Sequence, residues 1–273
     1  MTVQDLDRTA FEQDWADWHR RHEAVLGAEH GFLAITSLNW LTAEPQRFPD
    51  APGAWHTGPD GVVVELADGE TLSVGGTDVT GRYAFGAIPE RGGINAVSGD
   101  DVIEVARRGG YDIVRPRHPG HQLRLSFAGT PAYQPDPRWA VPARYVAFPE
   151  PRDTTVGSVA EGLQHVYAAP GYVEFEIDGE QFRLTAFNGH APGTLTILFT
   201  DATSGVTTYP ANRALQLPPP DEDGAVTLDF NRAANLPCAY TEYATCPLPP
   251  AENRLPIAVE AGEKLPYEYG SPA

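Results

Sequence analysis

The chain has 273 residues, a mass of 29.5 kDa and a formal net charge of −18, from 19 basic and 37 acidic side chains. At roughly 150 residues per domain it makes one large domain or two modest ones, long enough to bury a core without disulfide or metal staples. The charge excludes a general nucleic-acid binder, which needs clustered Lys and Arg. The absence of any run near about 18 apolar residues excludes a conventional transmembrane helix.

The N-terminus reads MTVQDLDRTAFEQDW. It lacks the basic region and apolar run of a secretory signal, so a cytoplasmic protein is expected. Leu6, Phe11, Trp15, Trp18, His22 and Val25 recur at spacings of three to five. That spacing predicts a helix over residues 4–26, with Gly27 as its stop. His19 and His22 lie at i and i+3 and could share a metal, but no third ligand stands obviously beside them. Packed or half-exposed histidines are the reading favoured by sequence, and neither a metal nor a cofactor is predicted.

After Gly31 the texture changes. From residue 61 short β-rich runs alternate with turn signals: VVVEL, TLSV, DVIEV, YDIV and QLRLSF, each followed by a Gly- or Pro-bearing turn. This cadence predicts a β-sandwich-like half over residues 31–128. Residues 129–151 are Pro-rich and read as an extended connection. The second half, 152–273, repeats the pattern. GYVEFEI and QFRLTAF flank Asp178-Gly179 as a hairpin. LTILFT, residues 206–209 and AVTLDF are further strands. The fold expected is mainly β: an N-terminal helix over 1–30, a sandwich-like first half, and a barrel-like second half with a long ordered C-terminal loop.

Residues 231–256 are too rich in Pro and Asn for regular structure, yet hold two Cys, two Tyr and two Arg. A long loop of that kind in a compact domain is usually functional or disordered, and its Tyr, Cys and Leu argue against disorder. The string DFNRAANLPCAYTEYATCPLPPAENRLPIAVEAGEK resembles the C-terminal signature of a bacterial and archaeal family known as domain of unknown function 1684. FTDATSGVTTYPANRALQL, DPRWAVPARYVAF and GFLAITSLNWL resemble its other blocks. Asp201, Thr203, Gly205, Thr208, Tyr209, Arg213, Asp229, Asn231, Arg232, Asn235, Cys238, Cys246, Asn253, Glu263 and Lys264 match the pattern. The resemblance implies no activity.

Within that region Tyr209, Arg213, Asp229, Asn231, Arg232 and Asn253 are the candidate ligand-binding residues. One reading is a pocket in the C-terminal half for a small polar or anionic ligand, with Arg as a bidentate clamp. Another is a hydrolytic or transfer enzyme in the same pocket, with Asp229 as base. A third is a scaffold, with Arg and Asn satisfying the backbone groups of an irregular loop. Cys238 and Cys246 have C-x7-C spacing, unlike zinc ribbons or redox motifs, and are expected as buried reduced thiols, with a disulfide and a zinc site as the alternatives. Lys264, the sole lysine, follows Glu260 and Glu263 and is expected in a salt bridge. There is no G-x-S-x-G, Walker, G-x-G-x-x-G or H-E-x-x-H motif, and neither nucleic acid nor membrane is an expected partner.

Overall fold

The structure is a computed structural model that describes residues 3–266, with side chains described from residue 8. The helix forms as α1 (Val3–Leu26). Of the expected stripe, Leu6 lies outside the described side chains, Phe11, Trp15, Trp18 and His22 are half-buried, and Val25 is 74% exposed. No helix among the described residues is long and apolar enough to cross a membrane.

The chain divides into two compact units. The first contains Met1–Glu23, Gly129–Tyr240 and Cys246–Ala273; the second contains Ala24–Ala128 and Thr241–Thr245.

The second unit holds β1 (Asn39–Trp40), β2 (Gln46–Phe48), β3 (Ala51–Gly58), β4 (Gly61–Glu65) and β5 (Leu72–Val74). It continues with β6 (Thr77–Val79), β7 (Arg82–Gly86), β8 (Gly93–Ser98), β9 (Asp101–Arg108) and β10 (Tyr111–Arg117). They form two antiparallel sheets, β1-β10-β9-β8-β5-β6 and β2-β3-β4-β7. Trp55, Val62, Val64, Leu72, Ile103, Val105 and Val114 pack the core of this unit. Glu104 is buried there and accepts hydrogen bonds from Arg108, Arg115 and Arg117. Burial opposes its ionisation, yet Arg115 and Arg117 hold its carboxyl down at about 2. QLRLSF, expected as a strand, is instead the short helix α2 (Gln122–Ser126). Its Gln, Leu and Arg favour helix, and no β-branched residue resists it.

The first unit is built on β11 (Ala140–Gly157), β12 (Gln164–Ile177), β13 (Glu180–Asn188), β14 (Leu195–Phe199), β15 (Arg213–Leu217), β16 (Ala225–Asp229) and β17 (Ala234–Asn235). The order is β16-β11-β12-β13-β14-β15-β17, all pairs antiparallel. The β12–β13 hairpin turns at Asp178 and Gly179, with φ of 52° and 82°, the paired left-handed geometry of a type I′ turn. The barrel expected here does not close, since the edge strands β16 and β17 do not pair. They are consecutive in the chain, joined by a 3-10 turn at Phe230–Arg232, so the sheet curls around its core without sealing. Phe230 plugs the curl, with its ring 5.5 Å from Phe199, 5.8 Å from Phe175 and 6.3 Å from Trp139.

Two differences follow from local chemistry. The Pro-rich stretch expected as a connection becomes a strand from Ala140, because its prolines fall where few ladder donors are required. Residues 206–209, expected as a strand, form tight turns onto Thr203, whose carbonyl accepts the N–H groups of Val206, Thr207 and Thr208.

Candidate functional site

Arg213 opens β15 and is 1% exposed. Its guanidinium donates to the carbonyls of Ala261, Glu263 and Val259, the last at 3.1 Å. Asp201 Oδ1 lies 3.4 Å away. Asp201 also accepts from Thr203, Ser204 and the Val259 N–H. Burial lowers the Arg213 pKa, against the opposing charge of Asp201. Arginine and aspartate together form a latch that pins residues 259–263 against the sheet.

Asn253 is wholly buried and serves as a piece of strand. β13 and β14 pair only at Phe187–Thr196 and Asn188–Leu195. The next same-face position in that register is Thr185 opposite Leu198, where the strands have splayed. The Asn253 side chain fills the gap, accepting from the Thr185 N–H at 2.7 Å and donating to the carbonyls of Thr185 and Leu198, each at 2.8 Å. The splay would otherwise leave buried backbone groups without partners.

Asp229, Asn231 and Arg232 do converge at the exit of β16. Asn231 bonds the backbone N–H and carbonyl of Asp136 and the Asp229 carboxylate. Arg232 donates to Asp229 at 3.1 Å and to Asp14 of α1. The Trp15 indole donates to the Asn231 carbonyl at 2.7 Å. Tyr209 lies apart from these three and donates to the Cys238 carbonyl at 2.7 Å. The six candidate residues thus fall into separate places, each engaged with the chain itself.

The carboxylate missing beside His19 and His22 in the sequence is Glu263. Its Oε1 lies 3.4 Å from the Nε2 of each ring, without hydrogen-bond alignment to either. Its Oε2 accepts from the Asn235 N–H at 2.6 Å and from Tyr240 at 3.4 Å. Burial works against a charged His19, but its pairing with Glu263 and the nearby Glu23 raise its pKa. Among the described residues no three His, Cys, Asp or Glu side chains are arranged to hold a metal ion. Lys264, expected in a salt bridge, sits instead 4.3 Å from the centre of the Tyr133 ring. Both cysteines are free and buried. A hydrogen bond with Cys246, then burial, push the Cys238 thiol far above the usual range.

An open groove lies elsewhere in the same unit. The β11–β12 register shifts between Ala147 and Arg152, so residues 148–151 stand opposite Pro170 alone. Pro149 and Pro151 lack the N–H that a ladder would use, and such bulges re-aim the side chains beside them. Phe148 and Arg152 flank this bulge. Tyr172 pairs with Thr185, and Arg183 follows on the same outer face. Together with Thr154 and Glu252 these residues line a cavity of about 240 Å³. The Arg152 guanidinium lies 3.7 Å from the Phe148 ring centre, and that of Arg183 lies 4.8 Å from that of Tyr172. The two rings are 5.5 Å apart. Neither arginine has an ion-pair partner among the described residues. Glu252 is engaged by the Thr185 hydroxyl at 3.0 Å. These lining residues were not singled out from sequence. The available signal was the FPEPR run, whose two prolines inside a strand pattern mark a bulge.

The fold defines a mainly β protein whose larger sheet is open, curled and held by a buried Arg–Asp latch. The chain belongs to the DUF1684 family, described as proteins of unknown function, whose family model matches residues 125–264. The latch, Asn253 and the groove all lie within that stretch. The chain is also similar to an uncharacterised protein of Haloarcula marismortui solved by solution NMR. Identity is 34%, covering 52% of this chain and 78% of the other, with a TM-score of 0.43. No curated protein matches.

Proposed function

We propose that this protein binds a small anion, or the anionic end of a small molecule, in the groove beside the β11 bulge. The observation that carries the reading is the pair Arg152 and Arg183, two guanidinium groups without carboxylate partners among the described residues in a chain of net charge −18. Elsewhere the protein pairs arginines readily: Arg107, Arg108, Arg115, Arg117, Arg213 and Arg232 all meet carboxylates. Stacking on Phe148 and Tyr172 holds the two forks in place, and planar guanidinium suits bidentate recognition of carboxylate or phosphate. The cavity is smaller than the roughly 300–1,000 Å³ typical of drug-sized ligands, which fits an anion of few atoms. Asn253, a candidate from sequence, supports this site from behind by fixing the backbone of Thr185.

A thermal-shift panel of phosphate, sulfate, acetate and small phosphate esters tests the reading, because a ligand bound only by the folded state raises apparent stability by mass action. At least one anion should raise Tm in the natural protein, and not in the Arg152→Gln/Arg183→Gln double variant. An equal rise in both proteins would remove the groove from the account.

A further inference from the structure

The groove that holds Arg152 and Arg183 also holds a charge of the opposite sign. Glu252 lines the same cavity of about 240 Å³. Like the two arginines, it has no ion-pair partner among the described residues. Its position follows from its neighbour. The Asn253 N–H closes a turn onto the Pro250 carbonyl at 2.9 Å, and the Asn253 side chain is locked to the N–H and carbonyl of Thr185. Glu252, one residue earlier, is thereby carried to the Thr185 side chain, whose hydroxyl donates to its Oε1 at 3.0 Å. Two more carboxylates come near, Glu150 in the bulge and Glu174 opposite Arg144 and Arg183 in register, but neither lines the cavity.

Opposite charges in one small cavity attract, and elsewhere in the chain they close into ion pairs, as Arg115 and Glu104 do at 2.7 Å. Here they are held apart. The Phe148 ring carries Arg152, the Tyr172 ring carries Arg183, and the Thr185 hydroxyl carries Glu252. Arg183 and Thr185 are same-face neighbours on β13, about 7 Å apart along the strand. An α-amino acid has about 2.5 Å between its ammonium nitrogen and carboxylate carbon, and spans about 8 Å once a charge-assisted hydrogen bond is added at each end. The spacing therefore matches a zwitterion whose two charges sit one carbon apart. Its carboxylate would meet planar donor forks, and its ammonium, which only donates, would meet an acceptor.

We propose that the groove binds a small free α-amino acid, with its carboxylate on Arg152 and Arg183 and its ammonium on Glu252. The inference rests on the anion reading of this groove and adds the amine to it. The cavity volume, below that of drug-sized pockets, limits the ligand side chain to a few atoms. Glu252 is then the residue that separates an amino acid from a plain carboxylic acid, which would leave the Glu252 charge unanswered beside it.

The test uses the intact protein. Glycine, L-alanine and L-valine are titrated by calorimetry against acetate, propionate and isovalerate, the same acids without the amine. At least one amino acid should bind about tenfold tighter than its amine-free counterpart, the size expected of one hydrogen bond to a charged group. Glu252→Gln should remove that advantage and leave the plain acid bound at least as tightly. Gln keeps an oxygen that accepts from the Thr185 hydroxyl, so this variant should fold as the natural protein does. Arg152→Gln/Arg183→Gln should abolish binding of both. Amino acids that bind no tighter than their plain acids, or an advantage that survives Glu252→Gln, would overturn the proposal and leave the anion reading in place. Failure of every amino acid and every anion to bind would remove both.

Discussion

Arg213 and Arg183 belong to one sheet, two strands apart, and the protein surrounds them in opposite ways. Arg213 is caged by three carbonyls and Asp201 on the buried side of the sheet. Arg183 lies on the outer face against an aromatic ring, with no carboxylate paired to it among the described residues. The same side chain is a structural brace in one position and an open donor set in the other. Residue type alone does not separate the two; burial and existing partners do. In a strongly acidic chain an arginine left without a carboxylate is the more informative of the pair.

The contrast breaks most easily at Arg213. Arg213→Ala leaves Asp201 buried without its counter-charge, and such losses cost about 3–5 kcal/mol. Urea unfolding should show it as a large fall in midpoint at unchanged slope; a fall under about 1 kcal/mol would show that the latch is not structural. In the other unit Glu104 is held by arginines in the same manner. With its pKa lowered from 4.5 to about 2, its contribution is fully present above pH 4.5 and disappears as pH falls toward 2. The shift corresponds to about 3 kcal/mol at neutral pH. Glu104→Gln should therefore be markedly less stable than the natural protein at pH 7 and nearly equal to it at pH 2. Asn253→Ala orphans the Thr185 N–H and two carbonyls, and should cost about 2 kcal/mol. Faster amide exchange at Thr185 would locate the damage.

His19 reports on the docking of α1. Its pKa is raised above 6.5, so the charged ring stabilises the fold below that pH and the contribution is lost as pH rises through the higher folded value. His19→Gln should destabilise at pH 6 and lose its effect at alkaline pH; an equal effect at both would mean the ring acts by packing alone. The smallest change is expected at the groove. Arg183→Gln should alter unliganded stability by less than about 0.5 kcal/mol, as surface substitutions away from special features do.

Much of the fold was legible. Val-rich runs separated by glycine turns gave the strands, and Asp178-Gly179 gave the hairpin, because those signals are local. The run QLRLSF misled because apolar residues at alternate positions in a segment this short fit either periodicity. Curling without closure was not legible, since it depends on β16 and β17 reaching opposite edges of the sheet. The C-terminal region was identified as the part with unusual chemistry, and Asp229, Asn231 and Arg232 do meet. What sequence could not show was whether those side chains were already occupied by backbone groups far along the chain. Arg213 and Val259 are 46 residues apart, and Asn253 and Thr185 are 68 apart. Glu263 was equally hidden from His19 until the termini came together.

The most direct measurement is a calorimetric titration of the panel anion that gives the largest thermal shift into the natural protein, Arg213→Lys and Arg152→Gln/Arg183→Gln. Saturable binding is expected in the natural protein, retained by whatever fraction of Arg213→Lys folds, and abolished in the double variant while its unfolding midpoint is unchanged. Saturable binding that survives in the double variant and disappears in folded Arg213→Lys would contradict it, and would return the site to the signature loop.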